Sequence, residues 1–247
     1  MKTKILLMSA AIMAGSTFVS PGFALENTLD QKIKAEIKAN LIEPDEVIAK
    51  YVEAVGGLDK VSKIKTSHVA MEADFQGMKI ETILFADSDN SRLKQETRVM
   101  GEVQQKMILK DGKGFMEAGG QTQDLPEEMI AMIKTQTYVF PEPMYKELGI
   151  ELSLRGTEEV EGEEANVLIL ALPNGMKTVE YYSTKSGLKL KTSSDAAGDM
   201  VYSDYKEVSG VLYPHTITMT SPMLPVPLET KIVKIELNKE LSDEDFN

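Results

Sequence analysis

Apolar and polar positions follow two different periods along this chain. Between residues 27 and 55 the period is helical. Leu29, Ile33, Ile37 and Leu41 recur every fourth residue as one narrow apolar stripe, which Pro44 interrupts. A second helix is expected from Pro44, whose fixed φ suits a first turn. Asp45 and Glu46 complement its N-terminal dipole, Val47, Ile48, Tyr51, Val52 and Val55 form its apolar face, and Gly56-Gly57 stops it. From Thr66 the period falls to two: Val69, Met71, Ala73 and Phe75 alternate with His68, Ala70, Glu72 and Asp74. Met78 to Phe85, Arg92 to Val99 and Val103 to Leu109 follow the same rule. Gln76-Gly77, Asp87-Ser88-Asp89-Asn90, Gly101 and Asp111-Gly112 separate them as hairpin turns, which predicts an antiparallel meander.

One helix interrupts the strands. Asp124 with Glu127 resembles a capping box, Pro126 falls in the first turn, and Leu125, Met129, Met132, Ile133 and Gln136 trace one face. Alternation then resumes at Ile150 to Val160, Ala165 to Leu172, Met176 to Ser183, Leu188 to Ser193, Met200 to Val208, Leu212 to Thr220 and Glu229 to Leu237. About eleven antiparallel strands exceed what an open twisted sheet carries comfortably, so the sheet should curl. The predicted class is mainly β with helices (α+β): an incomplete antiparallel β-barrel of about eleven strands wrapped around lid or plug helices. Residues 45–239 should form this one domain. Thr137 to Gly149 reads as irregular, and the acidic tail 240–247 is expected to fray.

The first 24 residues change the picture. Lys2 and Lys4 precede the apolar stretch Ile5 to Gly15, and Ser20-Pro21-Gly22-Phe23-Ala24 ends it on a small residue, the pattern of a secretory signal. Cleavage is expected after Ala24, into a periplasm, leaving residues 25–44 as an N-terminal helical extension. The apolar stretch is shorter than the ~20 residues of a membrane span, and the best later run, Ala165 to Leu172, is shorter still. No integral membrane segment is therefore expected after signal removal. The 247 residues carry a net charge of −12, and the basic leader leaves the remainder more negative. Such a field disfavours nucleic acid and acidic membrane surfaces. With no cysteine, disulfides, Cys-ligated zinc, thiol catalysis and lipid attachment through an N-terminal Cys are excluded.

Candidate chemistry is sparse. His68 and His215, the chain's two histidines, sit in strands with no partner at metal-binding spacing, and no G-x-S-x-G elbow is present. Asp111-Gly112-Lys113-Gly114 lacks the length of a phosphate loop and reads as a turn. Glu158, Glu159, Glu161, Glu163 and Glu164 lack the ligand pattern of a calcium loop and read as a solvated turn. No catalytic residue, metal or cofactor is expected. What stands out is 15 methionines without a tryptophan. Their soft, unbranched side chains either fill an ordinary core or line a concave face that accepts flexible acyl chains. On the second reading the strands supply Val69, Met71, Phe75, Met78, Ile80, Leu84, Met107 and Leu109 as lining. The helix adds Met129, Met132 and Ile133.

Three stretches carry a family resemblance. Tyr51-Val-Glu-Ala-Val-Gly-Gly-Leu-Asp-Lys-Val-Ser-Lys-Ile-Lys65 resembles the opening helix and first-strand approach of exported bacterial domains related to the LolA/LolB lipoprotein carriers. Asp111-Gly-Lys-Gly-Phe-Met116 with Asp124-Leu-Pro-Glu-Glu-Met129 resembles their central strand, turn and lid helix. Tyr202-Ser-Asp-Tyr-Lys-Glu-Val-Ser-Gly-Val-Leu-Tyr-Pro-His215 resembles a late strand–turn–strand unit. The resemblance spans about residues 45 to 237. Similar domains are attached to insulinase-type zinc peptidases, whose peptidase motif is missing here. The resemblance implies an incomplete barrel enclosing an apolar cavity, and a periplasmic, non-catalytic binding protein for a lipid, an acyl chain or a lipoprotein anchor. The alternative is an envelope interaction module with a filled core that docks on a protein partner, for example an insulinase-type peptidase.

Overall fold

The structure, a computed structural model, describes residues 42–247 except Ala196 and Met223. The expected export signal and the Leu29 to Leu41 stripe lie outside these residues. Helix α1 spans Pro44–Ala54, with Pro44 in its first turn and Val47, Ile48, Tyr51 and Val52 on its buried face, as the sequence pattern predicts. Its end is fixed by a close approach. Gly56 has φ +133°, and a Cβ there would lie 2.8 Å from the Gly210 carbonyl oxygen, so only glycine lets the chain pass this turn. The Leu212 amide then donates to the Val55 carbonyl at 2.8 Å. A single turn, α2 (Leu58–Val61), leads into the sheet.

Thirteen strands form one antiparallel sheet. The first meander comprises β1 (Thr66–Phe75), β2 (Met78–Asp87), β3 (Arg92–Val99), β4 (Glu102–Lys110), β5 (Lys113–Ala118) and β6 (Gln121–Asp124). Helix α3 (Glu127–Thr135) and a 3₁₀ turn (Glu142–Met144) follow. The second meander is β7 (Glu151–Val160), β8 (Glu163–Ala171), β9 (Lys177–Ser183), β10 (Lys189–Ser194), β11 (Gly198–Val208), β12 (Val211–Thr220) and β13 (Leu228–Leu237). The two meanders join where β13 pairs with β1, which leaves β6 and β7 as the edges of an unclosed sheet. The incomplete barrel is thus present, with two more strands than expected. The additional ones are β5, whose alternation is broken by Gly114, and β6, whose Gln121-Thr-Gln-Asp124 carries no apolar residue.

Two local expectations are corrected. Asp124 ends β6 instead of capping α3, which starts after Pro126 with no side-chain cap. The acidic tail does not fray. Asp243–Phe246 makes a 3₁₀ turn with a Ser242–Asp245 capping box, on the outer face of β3 and β4. Basic strand residues explain this. Arg92 donates to Asp243 Oδ1 at 2.7 Å and lies 4.4 Å over the Phe246 ring, and Lys94 donates to the Asn247 carbonyl at 2.6 Å. Phe246 is 1% exposed. Phe246→Ala should therefore lower unfolding free energy by about 3 kcal/mol, read from the urea midpoint. A change below ~0.5 kcal/mol would show that the tail contributes nothing to stability.

Pairing register carries one face across the whole sheet. Leu93 opposes Ala86 and Leu109, Leu84 opposes Val69, and Ala73 opposes Ile80 and Thr230. Thr230 opposes Ile217, Ile217 opposes Tyr202, Met200 opposes Thr192, and Thr192 opposes Glu180. Both covering elements lie on this inner face. Below α3, Leu93, Leu109, Leu125 and Ile133 form a buried cluster with Leu84, Met107, Met116 and Ile130 around it. Gly114 permits the approach, since a Cβ there would meet Ile130 Cγ1 at 2.9 Å. At the other end of the sheet, α1 packs on the 3₁₀ turn and on β7.

Candidate binding site on the concave face

The inner face divides into three parts. One end is the apolar cluster sealed by α3. The other is a buried ionic cluster beneath α1 and the 3₁₀ turn. On the strands between them, Met71, Phe75, Ile80, Met200, Ile217 and Met219 share the inner face and are only partly buried. This strip exists because two-residue alternation places apolar side chains inward on β2, β1, β12 and β11, while α3 packs mainly on β3 and β4 and α1 mainly on the 3₁₀ turn and β7.

The ionic cluster is built from residues far apart in sequence. Lys189 at the start of β10 donates to Glu142 Oε1 and to Glu180 Oε1, both at 2.6 Å. Tyr145 donates to both oxygens of Glu180 at 3.0 Å, and the Tyr182 hydroxyl donates to Glu180 Oε2. Tyr205 donates to the Lys189 carbonyl at 2.7 Å. The ammonium lies 5.6 Å from the Tyr51 ring and 5.4 Å from the Tyr182 ring, within cation–π range. Burial alone would lower the Lys189 pKa, but Glu142 and Glu180 outweigh it and hold the ammonium well above its usual range. Burial raises the Glu142 carboxyl, with Lys189 pulling the other way. It also raises the phenols of Tyr51, Tyr145 and Tyr182, and pushes Tyr213 up to about 12. Hydrogen bonds tie Lys189, Glu142, Glu180, Tyr145 and Tyr182 to one another. Such an arrangement positions α1 and the 3₁₀ turn on the sheet.

The predicted lining residues fall into distinct places. Leu84, Met107, Leu109 and Ile133 meet in the sealed cluster, and Val69 is buried at 2% exposure. Met71, Phe75 and Ile80 lie on the partly open strip. Met78 and Met129 are exposed, and Met132 borders a cavity of about 240 Å³ with Leu148 and Leu172. Sequence reasoning missed Met200, Ile217 and Met219 and the ionic cluster. The signal for the cluster was a charge at an inward position, since Glu180 alternates with Tyr181 and shares its face with Tyr182. Glu142, in a stretch read as irregular, gave no such signal. The histidines have structural partners. His68 shares a hydrogen bond with Glu236 at 2.9 Å and stacks on Phe85, and His215 contacts the Tyr213 carbonyl at 3.0 Å. Among the described residues no group of three or more His, Asp or Glu is placed to hold a metal, and no helix is long and apolar enough to cross a membrane.

No family model and no curated protein sequence matches the chain. Solved structures do. A DUF1329 family protein from Desulfovibrio piger matches with a TM-score of 0.55 at 12% identity, over 83% of this chain and 98% of its own. A LolA superfamily protein from Nitrosomonas europaea gives 0.56 at 12%, over 84% and 98%. An outer membrane lipoprotein-sorting protein domain from Vibrio parahaemolyticus gives 0.55 at 12%, over 83% and 97%. Identity this low speaks for the backbone alone. An unclosed antiparallel sheet wrapped on one face around short helices, superposed along nearly the full length of these proteins, gives this chain the fold of the LolA superfamily.

Proposed function

We propose that this chain is an exported, non-catalytic binding protein that holds an acyl chain, from a lipid or a lipoprotein, along the concave face of its half-barrel. The observation that carries this reading is the partly open apolar strip of Met71, Phe75, Ile80, Met200, Ile217 and Met219 between two covered ends. Burying hydrocarbon yields about 0.8 kcal/mol per CH₂, so a long chain needs little polar recognition to bind. Methionines adapt to a flexible chain at low cost. The shared fold with a lipoprotein-sorting domain supports the same reading. In it, Met71, Phe75 and Ile80 touch the chain, Val69, Leu84, Met107, Leu109 and Ile133 form the wall at one end, and Met78, Met129 and Met132 stand around its rim. The leader is removed after Ala24 and the protein acts in the periplasm, so the intact mass of exported protein should correspond to a start at Leu25.

Ile80→Asp tests the strip. An unpaired carboxylate facing hydrocarbon costs the complex far more than the ligand-free protein, where the side chain reaches water. Uptake of a fluorescent fatty-acid probe should fall about tenfold, ~1.4 kcal/mol, while circular dichroism shows an unchanged fold. Undiminished uptake by a folded Ile80→Asp protein would place the acyl site elsewhere.

A further inference from the structure

Beyond the acyl strip, a separate cavity of about 840 Å³ opens between α1, the 3₁₀ turn and β7. Its surface is apolar along Ile48, Val52 and Leu152, and its charge is one-sided. Among the described residues Glu43, Asp45, Glu53, Glu142 and Glu147 line it against one cation, Lys146. Surface carboxylates alone would mean little, but Glu142 is different. Its side chain is 3% exposed, its Oε1 is taken by Lys189, and its Oε2 has no hydrogen-bond partner among the described residues. A buried carboxylate oxygen normally has one. Among the described residues the two carboxylates of the buried cluster share one ammonium. A cationic donor that enters from the cavity with an apolar body would complement both the unpartnered oxygen and the acidic lining.

We propose that this cavity binds a primary ammonium carried on an aliphatic body, with the ammonium donating to Glu142 Oε2 and the body lying along Ile48, Val52 and Leu152. An ammonium has three donors and one charge, which suits both the orphaned oxygen and the acidic surround. A carboxylate or phosphate with no ammonium beside it would meet repulsion on the same surface. The amine's source is either a free aliphatic amine or the headgroup of an aminolipid, and both present the same ammonium.

Calorimetric titration of the processed protein with n-hexylammonium, hexanol and hexanoate tests this. Hexylammonium should bind about tenfold or more tightly than hexanol, and hexanoate more weakly than either. Glu142→Gln, which keeps the shape and removes the charge, should abolish the preference for the amine. Ala49→Trp, at an exposed position on the cavity wall, should block all three ligands without touching the ionic cluster and serves if Glu142→Gln does not fold. Displacement of hexylammonium by lysophosphatidylethanolamine, and not by lysophosphatidylglycerol of the same chain length, would assign the site to an aminolipid headgroup. Failure of both to displace it would assign it to free amines. Equal binding of hexylammonium and hexanol, or an amine preference that survives either variant, would overturn the proposal. Fatty-acid uptake measured on the same samples separates the two sites, since its persistence without amine binding would remove this site and leave the acyl reading standing.

Discussion

Replacing Lys189 with Met should lower unfolding free energy by about 3–5 kcal/mol at neutral pH, the largest effect expected of any single substitution here. Among the described residues the ammonium is the one positive charge between the buried carboxylates of Glu142 and Glu180, and its loss leaves both without an ion pair beneath α1. The pH dependence has a definite sign. Burial already raises the Glu142 carboxyl above its usual range, so the folded protein holds that proton more tightly than the unfolded chain. Such a group favours the folded state at low pH and loses this contribution as pH rises through the folded-state value. Without Lys189 the carboxyl rises further, and Lys189→Met should regain stability on acidification. Combining it with Glu142→Gln and Glu180→Gln should restore most of the loss, because no buried charge is then left unpaired. A loss below ~1 kcal/mol, or one independent of pH, would mean that water reaches the cluster.

Leu109→Ala is the second large effect, about 2–5 kcal/mol in the urea midpoint analysis. Leu109 is fully buried among Leu93, Leu125 and Ile133 under α3, where a vacated volume cannot collapse because Gly114 already sets the closest helix approach. The size of the loss also decides what this end of the concave face is. A packed wall pays for the cavity created, whereas an open ligand chamber already holds empty space and would lose less than ~1.5 kcal/mol.

Most of the sheet was legible because its signal is local. Alternation marked β1 to β4 and β7 to β13, and Pro44 with Gly56-Gly57 marked both ends of α1. Local pattern carries no signal where partners are distant or side chains uninformative. Nothing in Gln121-Thr-Gln-Asp124 asks to be a strand, and β6 forms because β5 offers it an edge. The tail 240–247 looks like a solvated acidic end until Arg92 and Lys94, some 150 residues earlier, are placed beneath it. The candidate site shows the same limit. Met71, Phe75 and Ile80 were readable from period two, but which of the inward residues a helix would cover depends on where α3 lands, and the chain fixes that through Gly114 and Leu125. Glu142 and Lys189 are 47 residues apart and meet only once the second meander is folded.

The most direct test is native mass spectrometry of the protein isolated from the periplasm without detergent, followed by organic extraction. The account predicts a bound species that adds the mass of an acyl-bearing molecule, is recovered by extraction as hydrocarbon-containing lipid, and is depleted in Ile80→Asp. Protein that is ligand-free throughout and fails to take up added fatty acid would contradict it.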